Sequence, residues 1–327
     1  MIERLLFLKS WSNDIYENLA LEQKLAQNVQ GGQLILFLWQ NRSCIVIGRN
    51  QNAWKECRTD ILEEEGVTLS RRLSGGGAVY QDMGNLNFTF CSLEKDSDIP
   101  RQHNVILQAC RLLGIDARIS GRNDLLAGDS KFSGNSFYSH GGKCFHNGTI
   151  LLDVDLKKME RCLSPSDLKL ASKAVDSVRS RVVNLKTIRP DIDCSVMCDA
   201  LKQAFSMVYD LDITEVNPDI LDKKDIEEKK RFFGSYEWVY GRNADFPISI
   251  RRRFSWGEIS VNMDIRSGLC SAIKVYTDAL DHNLASDLEN AVRGARLEEA
   301  DLNNRIKEAG LPYCEDICTM LQELIRR

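Results

Sequence analysis

The chain has 327 residues, of which 43% are apolar and 28% charged, and a formal net charge of -4. That length exceeds one ordinary domain and leaves room for a large core with a smaller second one. The acidic balance argues against a general binder of nucleic acid or anionic membrane, and no apolar run reaches the roughly 18 residues of a membrane-spanning helix.

In chain order, MIERLLFLKSW has an apolar patch too short for a signal peptide, no cleavage site, and none of the Arg/Ser-rich character of a transit peptide. A cytoplasmic protein is expected. Residues 12 to 26 read as a helix, with Ser12, Asn13 and Asp14 as cap candidates and Ile15, Leu19 and Ala26 on one stripe. LILFLW (34–39) and CIVI (44–47) are short apolar runs between turn residues, hence buried strands joined by QNRS. In LNFTFCS, Leu86, Phe88 and Phe90 face one way and Asn87 and Thr89 the other. VILQACRLLG is a helix stopped by Gly114. From 121 to 149 come glycine-rich, strand-like pieces, with Gly128 and Asp129 as a hairpin turn. SVMCDALKQAFSMVY is a helix with Met197, Leu201, Ala204, Phe205 and Val208 on one stripe. LDKKDIEEKKRF reads as a solvated helix face, and YGRNADFPISI as a turn-rich link. Beyond it, Ile259, Val261, Met263 and Ile265 alternate along one strand, SAIKVYTD forms another, and two helices follow near 282–293 and 314–326. The expected domains are 1–246 and 247–327.

The eleven cysteines are scattered, as expected of reduced thiols. Cys194/Cys198 and Cys314/Cys318 are i, i+4 pairs with no histidine nearby, so no metal site is expected from them.

The chain carries no Walker-type phosphate loop, dinucleotide fingerprint, H-E-x-x-H or EF-hand. RRLSGGGAVY has its own logic. Glycines let backbone approach a ligand, their N–H groups can hold an anion, and arginine adds a cationic fork. A strand bend with surface arginines is the alternative; Arg71, Arg72 and Ser74 beside the glycines favour anion binding. In GRNDLLAGDSKFSGNSFY, Lys131 sits among Ser130, Ser133 and Gly134, and Asp124 could orient it. It reads as a solvated surface charge or as a ligand contact. His146, in CFHNGT, reads as a structural hydrogen-bonder or a catalyst. KAVDSVRSRVVNL, with Lys173, Arg179 and Arg181, reads as an ordinary basic loop or a lid over an anion.

Taken together, these stretches resemble the lipoate–protein ligase A family. RRLSGGGAVYQDMGNLNFTF is similar to that family's RR-x-SGGGAV-x-x-D-x-GN segment, and GRNDLLAGDSKFSGNSFY to its GRND…G-x-K-x-SG segment. CFHNGTILLDVDL and SVRSRVVNL match two more, in order, over roughly residues 12 to 190. WVYGRNADFPISIRRRFSWGEISV and KVYTDAL resemble the entry to the family's C-terminal accessory domain.

The resemblance implies an α/β (α+β) fold: a large biotin/lipoate-ligase-like catalytic domain with a mixed β-sheet, plus a small α/β accessory domain. It implies that lipoate and ATP, with Mg²⁺, form lipoyl-AMP and pyrophosphate. The lipoyl group then passes to a lysine of a lipoyl-domain protein, such as a 2-oxoacid dehydrogenase acyltransferase subunit or the glycine cleavage H-protein. Arg72, Gly77, Ala78, Val79, Tyr80 and Lys131 match nucleotide-binding positions. Arg72, Gly76, Lys131 and His146 match lipoate-binding ones. Lys131 is the implied catalytic residue, Asp124 its support, and Ser177, Arg179 and Arg181 the adenylate loop. A monomer is expected, with no nucleic-acid or membrane partner. The family often has histidine where Gln81 and Asn147 stand, which weakens any mechanism needing a titratable group there. A lipoyltransferase using preformed lipoyl-AMP or a lipoyl-protein keeps the same motifs. The related octanoyltransferases carry a nucleophilic cysteine near the place of Asn123 and Asp124, and none stands there. A biotin ligase has a different, more Arg-rich phosphate loop. A non-catalytic binding module would not need Arg72, the glycines and Lys131.

Overall fold

The computed structural model describes residues 1–121, 123–163, 182–217, 221–240, 248–266, 269–296 and 298–325. The expected boundary near 246 lies outside them, as do Lys173, Ser177, Arg179 and Arg181.

The first half runs β1 (Arg4–Lys9), α1 (Ile15–Asn28), β2 (Gln33–Trp39), β3 (Cys44–Ile47), α2 (Ala53–Glu56), α3 (Thr59–Glu64), β4 (Thr68–Arg71), β5 (Val79–Gln81) and β6 (Asn85–Leu93). It continues through α4 (Ile99–Leu112), β7 (Ala117–Ser120), β8 (Asp124–Ala127), β9 (Ser130–His140), β10 (Lys143–Leu151) and α5 (Leu156–Cys162). Then come α6 (Cys194–Tyr209), β11 (Ile213–Glu215), α7 (Lys223–Phe233) and α8 (Tyr236–Tyr240).

Eight strands form a mixed sheet in the order β11-β1-β2-β6-β10-β9-β8-β7. β1 is parallel to β2, and β6 antiparallel to both β2 and β10. Both faces of this sheet are covered, which is why β2 is apolar at every position from Leu34 to Trp39. Leu34, Leu36 and Leu38 join Leu86, Phe88 and Phe90 beneath α4 and α6. Ile35, Phe37 and Trp39 face α1 on the other side. β3 does not extend this sheet. After QNRS the chain leaves it, and β3 pairs with β4 and β5 in a separate three-stranded sheet.

Asp14 caps α1, its carboxylate accepting from the Tyr16 and Glu17 N–H groups. The charge run forms α7, which buries Ile226 and Phe233 and sets Lys230 3.0 Å from the Asp14 carboxylate. Lys24 of α1 pairs with Asp225 of α7.

The second unit holds β12 (Ile248–Phe254), β13 (Gly257–Arg266) and β14 (Leu269–Thr277), then α9 (Leu284–Val292), α10 (Glu299–Glu308) and α11 (Cys314–Ile325). Ile259, Val261 and Met263 are fully buried against Leu284, Leu288 and Ile317. Three helices follow the strands, not the two expected. α10 escapes a periodicity reading because it buries only Leu302 and Ile306.

The two units meet backbone to backbone. The Thr277 N–H donates to the Asn50 carbonyl at 3.0 Å, and the Gly76 N–H to the Ala279 carbonyl at 2.9 Å. The Asn50 side-chain amide donates to the His282 carbonyl at 2.9 Å.

Candidate functional site

A cavity of about 150 Å³ opens where the two sheets of the large domain meet α1. One wall is apolar, made by Leu19, Trp39 and Val46. A second is the glycine loop, Gly76 to Val79, with Arg72. A third carries Lys131, with Asn123, Gly134, Asn135 and Ser136. Gln81, Asn87 and Asn147 add amides.

The two adjacent arginines have different tasks, because successive side chains of a strand point opposite ways. Arg71 is fully buried and does not line the cavity. Its guanidinium donates to the carbonyls of Gly48, Arg49 and Gln51, and to those of Trp238 and Val239 in α8. It is a staple between loops, which corrects the expectation of two cations facing an anion. Arg72 borders the cavity and donates to the Ser74 hydroxyl and to the carbonyls of Val46, Gly75 and Gly77. In a trans peptide the N–H points opposite the C=O. By holding the Gly75 and Gly77 carbonyls, Arg72 turns away from itself the Gly76 N–H, which the Ala279 carbonyl accepts, and the Ala78 N–H. Burial pulls Arg72 down to about 10, with Glu22 acting the other way, so it stays charged at neutral pH.

The glycines have steric reasons. Gly76 takes φ 88°, a left-handed value that favours glycine. A Cβ on Gly75 would overlap the Ala279 carbonyl and lie 2.6 Å from that of Leu280. The loop is thus packed directly under the second domain.

Lys131 leans past Gly134, where an added Cβ would come 3.0 Å from its ammonium, and it pairs with Asp124 at 2.7 Å. The Val183 N–H donates to the Lys131 carbonyl at 2.9 Å. Val182 and Val183 thus lie beside the lysine.

Arg72, Gly76, Gly77, Ala78, Val79 and Lys131 are thus brought to one cavity, with Asp124 on the lysine. Two residues are not. Tyr80 packs with Ile45, Ile47 and Leu69, on the face of β5 away from Val79 and Gln81. His146 is buried on the opposite face of β10 from Asn147, against Phe88, Phe90 and Phe137. By this alternation Asn147 lines the cavity and His146, which the resemblance places among the lipoate-binding positions, does not. Burial, then the neighbouring His103, holds it well below the usual histidine range, so it is neutral.

The sequence reading missed a polar network behind the cavity. Glu22 is buried, and its carboxylate accepts from the Thr89 hydroxyl at 2.7 Å and the Asn147 amide at 2.9 Å. Trp39 Nε1 donates to Thr89 at 3.1 Å. The Ser136 hydroxyl donates to Asn147 at 2.6 Å and lies 2.9 Å from Ser74, which Arg72 contacts. Gln81 accepts from Asn41 at 2.6 Å and Asn87 at 3.3 Å. An amide can donate and accept at once without titrating, so Gln81 and Asn147 themselves keep the same hydrogen-bonding groups at every pH. The available signals were a glutamate in the middle of α1 and polar Asn87 and Thr89 in a strand buried on both faces.

Glu22 gives a pH prediction. Burial raises its pKa from 4.5 to about 7, against the hydrogen bonds of Thr89 and Asn147 and the charge of Arg72. The folded state then holds the proton more tightly than the unfolded chain. The stability this gives is present at low pH and is lost as pH rises from 4.5 through about 7. The loss is on the order of 3 kcal/mol. Denaturant unfolding at pH 5 and pH 8 should show Glu22→Gln without this loss; an identical difference in both proteins would contradict it.

The comparisons with known proteins agree along the chain. The family model "Lipoyl protein ligase A/B catalytic domain" matches residues 14–206, and "Bacterial lipoate protein ligase C-terminus" matches 243–318. The lipoate-protein ligase A of Blochmanniella floridana is 38% identical over 301 residues, covering 89% of this chain and 88% of that protein. The crystal structure of P. falciparum LipL1 in complex with lipoate superposes with a TM-score of 0.87 at 27% identity, covering 97% of this chain and 99% of that one. A lipoate-protein ligase A bound with ATP gives 0.62 at 27% identity, covering 74% and 99%.

Proposed function

We propose a mechanism that starts from one premise: the chain belongs to the lipoate–protein ligase A family, whose activity is ATP-dependent protein lipoylation. The observation that carries our reading is the meeting of an apolar wall, a bare glycine backbone and the Lys131 ammonium in one cavity.

Leu19, Trp39 and Val46 take the apolar chain of lipoate. Lys131 neutralises its carboxylate, and the glycine loop with Arg72 receives the α-phosphate of ATP. A carboxylate oxygen attacks that phosphorus as the bond to pyrophosphate breaks. Two anions must meet, so fixed cations and N–H donors offset the repulsion and stabilise charge building on the phosphoryl oxygens. Ser177, Arg179 and Arg181 are the residues we assign to binding the resulting mixed anhydride, which must be kept from water. In the second step the deprotonated ε-amine of an acceptor lysine attacks the acyl carbon, the acyl–oxygen bond to AMP breaks, and the nitrogen gives up a proton as the amide forms. The Tyr80 side chain packs away from the cavity, so its part in holding nucleotide falls to its backbone.

Mg²⁺ suits this arrangement as a companion of the phosphates. Among the described residues no three His, Cys, Asp or Glu side chains cluster as a metal cage, and Asp124 is the carboxylate at the lysine wall. When bound, the ion neutralises phosphate charge. The acceptors are lipoyl-domain proteins, 2-oxoacid dehydrogenase acyltransferase subunits and the glycine cleavage H-protein among them. The chain acts as a monomer in the reducing cytoplasm, where its eleven free thiols persist. Among the described residues no helix is long and apolar enough to cross a membrane. The cysteines give no support to a thiol-dependent octanoyltransferase. Cys110 is buried with its thiol pushed up to about 12, and Cys144 contacts the Ser92 hydroxyl and carbonyl.

Pyrophosphate release with ATP should require lipoate; release that ignores lipoate, or none with both substrates, would overturn the reading. The domain contact adds a second test. Gly75→Ala drives a Cβ into the Ala279 and Leu280 carbonyls, so the second domain must lift from the loop. Adenylate formation should fall by about a hundredfold, the scale of misplacing a catalytic contact by an ångström. Transfer from supplied lipoyl-AMP should suffer less. Equal loss of both steps would count against a role for this contact in activation.

A further inference from the structure

His146 lies on the wrong face of the sheet to touch a ligand, yet it is bonded at both ring nitrogens. Its Nδ1 is 2.9 Å from Gln102 Oε1 and its Nε2 is 2.8 Å from Asn135 Oδ1. Asn135 in turn belongs to a clasp with Asn123. The Asn135 backbone N–H and its side-chain Nδ2 both donate to the Asn123 carbonyl at 2.9 Å, and Asn123 Nδ2 donates back to the Asn135 carbonyl at 3.1 Å. Asn123 lines the cavity, and the next residue, Asp124, holds Lys131.

The hydrogen-bond inventory orders this chain. Asn135 Nδ2 is committed to Asn123, so Asn135 Oδ1 faces His146 and needs a donor. A neutral imidazole has one N–H. It must sit on Nε2, leaving Nδ1 to accept from the amide nitrogen of Gln102, which a half-turn of that side chain supplies. Gly148 keeps the space open: a Cβ there would meet the Phe88 ring at 2.5 Å and Asn135 Oδ1 at 2.9 Å. A buried Asn135 oxygen without its donor would turn away, and its Nδ2 would leave Asn123.

We propose that His146 is a positioning residue, which fixes the Asn135 amide, and through it the Asn123–Asp124 corner that sets Lys131 in the cavity. The functional half rests on the reading of Lys131 as the residue that meets lipoate. The structural half does not.

The test uses the full-length protein with His146→Phe, His146→Gln, Asn135→Ala and the double variant His146→Phe/Asn135→Ala. Hydrogen exchange reads the clasp directly. At the Asn135 amide, His146→Phe should speed exchange by about tenfold or more, while amides of the β6–β10 pairing keep their protection. His146→Gln, which places an amide N–H near the former Nε2, should restore most of it. In lipoate-dependent pyrophosphate release, His146→Phe should raise KM for lipoate by about tenfold, with kcat changed less. The double variant should be no worse than Asn135→Ala alone, since His146 acts only through that residue. Unchanged exchange at Asn135 in His146→Phe, or additive effects on KM, would overturn the proposal. A wild-type protein that releases no pyrophosphate would remove the functional reading instead, and the exchange experiment would still decide whether His146 pins the clasp.

Discussion

Lys131→Ala is expected to lower lipoate-dependent pyrophosphate release by about a thousandfold or more, while the unfolding transition stays near that of the wild type. The lysine faces the cavity across from the glycine loop and pairs only at its tip with Asp124, both groups remaining partly exposed. Its loss therefore costs the fold little: a partly exposed ion pair is worth about 1 kcal/mol or less. The loss to catalysis should be larger, because in the proposed mechanism the carboxylate and the α-phosphate would then meet without that ammonium. Lys131→Arg should recover little, since a planar fork cannot take the place of a compact ammonium beside Gly134. Near-normal pyrophosphate release by Lys131→Ala would remove the lysine from the mechanism.

Arg71→Met should show the reverse pattern, a large loss of stability. The guanidinium satisfies five backbone carbonyls from two separate segments, and the Arg71 carbonyl accepts from Trp238 Nε1 at 2.8 Å. Methionine fills the volume and donates nothing, so carbonyls that water cannot reach lose their partners. Each such group costs about 1–3 kcal/mol, and relaxation recovers part, so the net loss is expected near 4 kcal/mol. That corresponds to a fall in Tm of about 10 °C for a domain of this size. The folded fraction should keep its KM for ATP within about threefold, because Arg71 does not face the cavity. A Tm within two degrees of wild type, or a selective rise in KM for ATP, would restore Arg71 as an anion contact.

These two variants separate neighbours that looked alike in sequence. Arg71 and Arg72 are adjacent cations before a glycine run, and composition alone gave both the same role. The alternation of the strand end decides which enters the cavity, and that parity depends on how β4 pairs with β3. The same parity separates His146 from Asn147 and Tyr80 from Val79. Local patterns read well where a stripe, an alternation or a turn residue is distinct: α1 with its Asp14 cap, the β6 alternation, the Gly128 turn and the α6 stripe were legible. The placement of β3 in a second sheet was not, because QNRS carries no mark that separates a hairpin from a crossing between sheets. Nor was α10, whose two buried residues leave too thin a stripe. The cavity's cationic and glycine walls were visible as motifs. Its apolar wall was not, because Leu19, Trp39 and Val46 come from three elements whose residues also build ordinary core. Glu22 was the clearest unused clue, an acid within a helix stripe that tertiary contacts with Thr89 and Asn147 explain.

The most direct test of the account is the intact mass of an unmodified lipoyl domain incubated with this protein, free lipoate and Mg²⁺, with ATP present or omitted. The account predicts a gain of one lipoyl group that requires ATP. A gain with synthetic lipoyl-AMP but none with lipoate and ATP would contradict it, leaving a transferase that receives an acyl group activated elsewhere.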